Sequence, residues 1–191
     1  QPQSLQGENC SDPASFSCAS DSQIPQSECN ALVALFNSTG GTNWIDNDGW
    51  LATDEPCDWY GISCDAGHVD GIYLYENRLV GPLPPEIGNF VYLYNLNIPN
   101  NSLMGEIPSE IGNLTQLRYL FMYENQLTGE IPSELGNLEN LEELFLDDNF
   151  LEGEIPPELG NLRQLGWLSL YDNFLTGSIP SELGDMIGLY I

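Results

Sequence analysis

The chain has 191 residues, of which 29 are acidic and 3 are basic, so its formal net charge is −26. This balance excludes nucleic-acid binding, which depends on Lys and Arg neutralising phosphates, and it disfavours anionic membrane surfaces. An apolar fraction of 41% is too high for an acidic disordered segment, and no run approaches the roughly 20 apolar residues of a membrane-spanning helix, so we expect a packed domain.

Cysteines and sequons suggest where the protein resides. All five cysteines lie early in the chain, at Cys10, Cys18, Cys29, Cys57 and Cys64. They lack CxxC spacing and the chain has one histidine, so they indicate a disulfide-stapled segment and no metal site. Candidate glycosylation sites are Asn9, Asn37, Asn100 and Asn113. We therefore expect an extracellular protein, with membrane attachment only through a segment outside this chain.

A helix is predicted over residues 30–36, where apolar side chains recur at helical spacing. Pro25 precedes this segment, and the pair Gly40 and Gly41 is expected to stop it. The single histidine, His68, lies just before the first repeat and is expected to be an exposed linker residue rather than a ligand.

A period of 24 residues starts at residue 69 and gives five uninterrupted copies, 69–92, 93–116, 117–140, 141–164 and 165–188, with a sixth begun at 189. Positions four and six of each copy are apolar, which predicts a short strand. Position nine is always asparagine, expected to satisfy backbone groups of the stacked turns. One copy cannot bury its apolar side alone, so the copies must stack into an α/β solenoid with one parallel sheet.

The repeat pattern LxxLxLxxNxLxGxIPxxLGxLxx, most complete in residues 117–138, resembles the plant-type leucine-rich repeat. Such repeats occur in receptor-kinase ectodomains, polygalacturonase inhibitors and secreted algal proteins such as those of diatoms. Trp50, Pro56, Cys57, Trp59, Gly61 and Cys64 resemble the N-terminal cap of this family. The resemblance implies a concave parallel sheet, a helical cap and a Cys57–Cys64 disulfide. Three cysteines, Cys10, Cys18 and Cys29, then remain for one further bridge, so one of them is left unpaired.

Three parts follow from the repeat and the cap. Residues 1–27 form an N-terminal extension with Cys10 and Cys18, residues 28–68 form the cap, and residues 69–191 form the repeats. Enzymatic activity is not expected, because the chain lacks lysine and has one histidine, so material for nucleophilic catalysis is scarce. No cofactor is predicted.

The outward positions of the predicted sheet combine aromatic and acidic side chains. The aromatic ones are Tyr73, Tyr75, Tyr119, Phe121, Tyr123, Phe145, Trp167 and Tyr171. The acidic ones are Glu76, Glu124, Asp147, Asp148 and Asp172, and Asn100 interrupts their row. The rings either stabilise neighbouring strands or form a binding patch with an acidic rim, and we favour the binding patch.

This surface predicts an extracellular recognition module that binds a protein or peptide carrying a basic patch. By resemblance it would act as a receptor-like protein or a short co-receptor ectodomain. Two alternatives are a secreted inhibitor of a basic extracellular enzyme and an acidic wall or adhesion protein that binds Ca²⁺ or polycations. Ice binding, known in some plant-type relatives, is least favoured because the surface is charged.

Overall fold

Each 24-residue copy forms one turn of a solenoid, and equivalent side chains of successive copies lie side by side. The structure is a computed structural model that describes residues 16, 18, 23–184, 186 and 188–190. Its helices are α1 (Gln26–Ser38) and α2 (Ser181–Gly184). Among the described residues, neither helix has the length and apolar character needed to cross a bilayer.

The six-stranded sheet, which we call the concave sheet, carries the first strand of every copy. Its strands are β1 (Ile62–Asp65), β2 (His68–Tyr73), β4 (Asn95–Asn97), β6 (Tyr119–Phe121), β8 (Glu143–Phe145) and β10 (Trp167–Ser169), in that order. β1 pairs with β2 antiparallel, and the remaining pairs are parallel. Tyr190 bridges Trp167 in parallel, so the sixth copy continues the sheet. The predicted parallel sheet and solenoid are confirmed.

A second sheet of five parallel strands was not predicted. It contains β3 (Val80–Gly81), β5 (Ser102–Gly105), β7 (Gln126–Glu130), β9 (Phe150–Glu154) and β11 (Phe174–Thr176). Stacking brings the extended segment after each asparagine beside its copy in the next turn, so the backbone groups of the two segments pair. Gly81, with a φ of +129°, lies against the end of α1, where an added Cβ would clash with the Ser38 carbonyl oxygen.

The core lies between the two sheets and a row of 3₁₀ turns. These turns span Pro85–Asn89, Ser109–Asn113, Ser133–Asn137 and Pro157–Asn161. Leu96, Leu120 and Leu144 at position four are fully buried, as are Ile111 and Leu135 in the turns. Removing these aliphatic columns from water provides the main driving force for stacking the copies.

The asparagine column is structural, as predicted. The side-chain Oδ1 of Asn125 accepts a hydrogen bond from the Leu103 N–H at 3.0 Å. Its Nδ2 donates to the carbonyl oxygens of Ile98 and Met122 at 3.1 Å, and of Tyr123 at 3.2 Å. One amide therefore serves both its own copy and the preceding one.

The cap is built on an aromatic cluster. Helix α1 starts directly after Pro25 and extends beyond the predicted residues 30–36 at both ends. The ring of Trp50 lies 5.8 Å from Phe36, 4.9 Å from Trp44 and 5.1 Å from Trp59. Indole rings of this size cover the apolar end of the first copy.

Two disulfides staple the cap. Cys57–Cys64, implied by the family resemblance, is present with a Cα–Cα distance of 5.6 Å. Cys18–Cys29 is the second bridge, with a Cα–Cα distance of 6.0 Å, and it resolves the choice among the other cysteines. Cys10 and the sequon at Asn9 lie outside the described residues.

His68 is not an exposed linker residue, so that prediction was wrong. It begins β2, and its Nδ1 lies 2.7 Å from Oε1 of Glu28 in α1. Glu28 is only 2% exposed, and its Oε2 accepts the Val69 N–H at 2.8 Å. A buried carboxylate therefore joins the cap helix to the first strand of the repeats. The contact stabilises the fold, since a buried carboxylate whose oxygens lacked hydrogen bonds would be costly.

Replacing both Cys57 and Cys64 with serine is expected to lower the free energy of unfolding by about 2.5 kcal/mol, because the unfolded chain regains the entropy of a short closed loop. Urea unfolding followed by circular dichroism measures this loss. The control is Asp65→Asn, an exposed change in the same segment, which should alter stability by less than about 0.5 kcal/mol. Equal stability of the two variants would contradict the role of the bridge.

Candidate recognition surface on the concave sheet

Five rings form a continuous aromatic cluster in the middle of the concave sheet. The ring centroids of Tyr94 and Tyr119 lie 5.3 Å apart, and those of Tyr119 and Phe121 lie 6.2 Å apart. Phe145 lies 5.1 Å from Phe121 and 6.4 Å from Tyr123. Cross-strand pairing places Phe121 directly beside Phe145. These contacts stabilise the sheet, and they also fix a rigid apolar surface on it.

The predicted residues of the first copy lie beside this cluster, where Tyr73 interacts electrostatically with Tyr94, and Glu76 with Tyr123. In the sheet, Asn97 of the second copy lies between Tyr73 and Phe121. Tyr75 and Glu76 are exposed beyond the end of β2. The aromatic surface therefore starts at Tyr94 of the second copy and has its largest part on the third to fifth copies.

Tyrosine hydroxyls on this face remain protonated well above neutral pH. Hydrogen bonds raise the pKa of Tyr119 to about 12, and the one to Tyr94 has a larger effect than the one to Glu142. A hydrogen bond to Asp147 raises the pKa of Tyr171 to about 12. Burial, followed by the charges of Glu124 and Asp147, raises the pKa of Tyr123. Tyr119 and Tyr171 donate their hydroxyl protons to the Glu142 and Asp147 carboxylates, so their phenol oxygens can accept hydrogen bonds from a partner.

The acidic rim has a partial explanation in the backbone. All five residues at position eight have positive φ, namely Glu76, Asn100, Glu124, Asp148 and Asp172. Asp and Asn tolerate this left-handed conformation better than other residues with a Cβ. The conformation thus accounts for Asn and Asp in the column, whereas Glu76 and Glu124 gain nothing from it.

A groove of about 570 Å³ opens beside the cluster at the fourth and fifth copies. Its walls include Tyr123, Phe145, Asp147, Trp167, Tyr171 and Tyr190. Trp167 and Tyr171 are 53% and 62% exposed, whereas Asp147 is only 5% exposed. Apolar rings therefore surround a single buried carboxyl group.

Two contributors to the surface were missed from the sequence. Tyr94, at position two, was not counted as outward-facing although it is 40% exposed. Arg118, also at position two, donates to Oε1 of Glu142 at 2.7 Å, and its guanidinium carbon lies 5.5 Å from the centroid of the Tyr94 ring. Position two lies just before the three-residue strands, so strict alternation from the strand does not predict its direction.

The remaining candidate positions are possible metal ligands and the glycosylation sequons. In the part of the chain that the structure describes, no group of three or more His, Cys, Asp or Glu residues is arranged to hold a metal ion. Of the sequons, Asn37 and Asn113 are exposed, while Asn100 is half-buried in the row of position eight. Glycosylation of these sites stays a prediction.

A family model described as a leucine-rich repeat region matches residues 73–185. The chain belongs to the leucine-rich repeat family. This leucine-rich repeat protein is 28% identical to the ectodomain of the receptor kinase SOBIR1 from Arabidopsis thaliana, with a TM-score of 0.75 over 88% of this chain and 91% of that one.

Two further structures are similar to the leucine-rich repeat chain. The ectodomain of the receptor kinase GASSHO1/SCHENGEN3 from Arabidopsis thaliana, solved with CASPARIAN STRIP INTEGRITY FACTOR 2, is 37% identical over 85% of this chain and 20% of that one, with a TM-score of 0.75. A plant ice-binding protein is 32% identical with a TM-score of 0.76 over 87% of this chain. The chain spans about half of that protein, 54% of its length.

Proposed function

We propose that the chain is an extracellular recognition module that binds a protein or peptide through the third to fifth copies of the concave sheet. It would serve as a receptor-like protein or a short co-receptor ectodomain. The observation that carries this proposal is the ring cluster beside the groove, where apolar area, phenol hydroxyl groups and acidic groups occur together. Binding hot spots have this composition, with aromatic anchors surrounded by polar groups.

The charge of the face indicates the partner's chemistry. Glu124 lines the groove, Asp148 and Asp172 interact electrostatically with Tyr171 in its wall, and the whole chain carries a formal charge of −26. A partner with a basic patch would be attracted by this field and held in one orientation. The complex of the GASSHO1/SCHENGEN3 ectodomain shows that a related fold can hold a protein ligand, and this supports the proposal.

Changing Phe121 and Tyr123 to alanine is expected to weaken a partner by about 2 kcal/mol, or roughly thirtyfold in Kd, because both rings are lost from the centre of the surface. Surface plasmon resonance with a partner isolated on the immobilised wild-type protein measures the change. The control is Glu130→Gln, an exposed change on β7 of the second sheet. Unchanged affinity of the aromatic variant, with its fold intact by circular dichroism, would refute the proposal.

Ice binding is a second candidate because a plant ice-binding protein is 32% identical to the chain. Ice-binding faces need a flat, uncharged array. The outward row at position twelve of the second sheet instead varies along the solenoid, with Val80, Met104, Thr128, Glu152 and Thr176. We therefore favour protein recognition. Inhibition of ice recrystallisation by the wild-type chain at micromolar concentration would reverse this preference.

A further inference from the structure

Asp147 differs from the other residues at its position in the repeat. Position seven is occupied by Tyr75, Pro99, Tyr123 and Tyr171 in the other copies, so Asp147 places the only carboxyl group in that column. It is 5% exposed, and its Oδ1 is buried with no hydrogen-bond partner among the described residues. Two other such oxygens, on Asp70 and Asn95, belong to half-buried residues outside the groove.

An unpartnered carboxylate oxygen destabilises a folded protein, because it has lost water and gained no donor in exchange. A tyrosine at position seven, as in the two flanking copies, would fit the repeat without this penalty. An unsatisfied oxygen of this kind, at the wall of an open groove, is typical of a group that receives its hydrogen-bond donor from a ligand.

The surroundings of Asp147 define the kind of donor that fits. Phe145 and Tyr123 are half-buried, and the more exposed rings of Trp167 and Tyr171 complete the walls. Tyr171 also hydrogen-bonds Asp147 through its hydroxyl group, and its 62% exposure leaves it free to swing outward. A planar cation can stack on such rings while it donates hydrogen bonds to the carboxylate.

We propose that this groove is a pocket for one arginine side chain of the partner, with the guanidinium paired to Asp147 and stacked against Trp167 or Tyr171. The inference rests on the proposed function, which it deepens by naming the anchor. Arginine fits better than lysine, because its guanidinium is planar and more weakly hydrated than an ammonium group. A metal ion fits less well, because Asp147 and the exposed Glu124 are the two carboxylates in the lining, and the described residues contain no group of three or more His, Cys, Asp or Glu arranged to hold a metal.

Trp167 provides the readout. It is the exposed one of the chain's four tryptophans, since Trp44, Trp50 and Trp59 are at most 6% exposed. Acrylamide quenching of indole fluorescence therefore reports mainly on the groove. The probes are the acetylated amides of arginine, of its neutral analogue citrulline, and of lysine.

For the wild-type chain, the arginine probe should protect Trp167 with an affinity at least tenfold above that of the citrulline probe and about threefold above that of the lysine probe. Asp147→Asn should reduce the preference for arginine over citrulline to less than about twofold. Glu152→Gln is the control, because it also removes one carboxylate charge, but from an exposed position on β9 of the second sheet, and it should keep the preference.

The stability of the variant provides an independent check. Asp147→Asn should leave the melting temperature unchanged or raise it, because it removes an unsatisfied buried charge. Equal binding of arginine and citrulline by the wild-type chain would overturn the proposal, and this comparison needs no variant. Equal effects of the Asp147 and Glu152 changes would overturn it too. In either case, a loss of partner binding after the Phe121 and Tyr123 changes would leave the recognition function standing.

Discussion

Replacing Asn125 with alanine is expected to lower the free energy of unfolding by about 3 kcal/mol, more than any exposed change in the repeats. The substitution removes the acceptor of the Leu103 N–H and the donors to three carbonyl oxygens. Asn125 is only 7% exposed, so water reaches these groups poorly. The residue also lies in the middle of the array, where damage to one interface affects the copies on both sides.

Thermal and urea unfolding of the Asn125→Ala variant would measure this effect. The control is Glu134→Ala, since Glu134 is an exposed residue in a 3₁₀ turn of the same copy. Its change in stability should be within about 0.5 kcal/mol of zero. Equal melting temperatures of the two variants would contradict a structural role for the asparagine column.

Replacing Glu28 with alanine is expected to destabilise the fold by about 3 kcal/mol, because the Val69 N–H and His68 lose a buried acceptor where the cap meets the repeats. Glu28→Gln keeps one acceptor oxygen and should lose roughly half as much. Both values come from urea unfolding.

Asp54→Ala is the control for the cap, because Asp54 is an exposed acidic residue that lies in the chain between Cys29 of one cap disulfide and Cys57 of the other. Its effect should be small. If Glu28→Ala unfolded at the same urea concentration as Asp54→Ala, the contact between Glu28 and His68 would not hold the cap to the first strand.

The repeat architecture could be predicted because apolar residues that recur every 24 residues mark the positions that are buried in each copy. Leu96, Leu120 and Leu144 recur at one position only because each packs in the same place in its copy. The asparagine column was predictable for the same reason. The contact between Glu28 and His68 could not be predicted, because the two residues are 40 positions apart and neither belongs to a column that recurs in the repeats. The second sheet was missed because its extended segments were interpreted as turns between copies.

The alternation of side chains along each strand predicted which positions of the site face outward, but it did not predict how deeply each of them is buried. Alternation predicts that Asp147 is exposed, as Tyr75 and Tyr171 are at the same position of other copies. It is buried because larger side chains at the same position of the flanking copies, Tyr123 and Tyr171, lie on either side of it. Such an effect depends on the sizes of neighbours in other copies, which no single repeat reveals.

Hydroxyl-radical footprinting of the complex would show whether the partner covers the concave sheet. Exposed aromatic rings react readily and occur on both sheets at similar exposure. Tyr75, Trp167 and Tyr171 on the concave side are 53%, 53% and 62% exposed, and Phe150 and Phe174 on the second sheet are 48% and 64% exposed.

The bound partner is expected to lower the oxidation of Trp167 and Tyr171 at least threefold, to leave Phe150 and Phe174 unchanged, and to affect Tyr75 less because it lies at the far end of the sheet. Protection of Phe150 and Phe174, with Trp167 and Tyr171 oxidised as in the free chain, would instead place recognition on the second sheet.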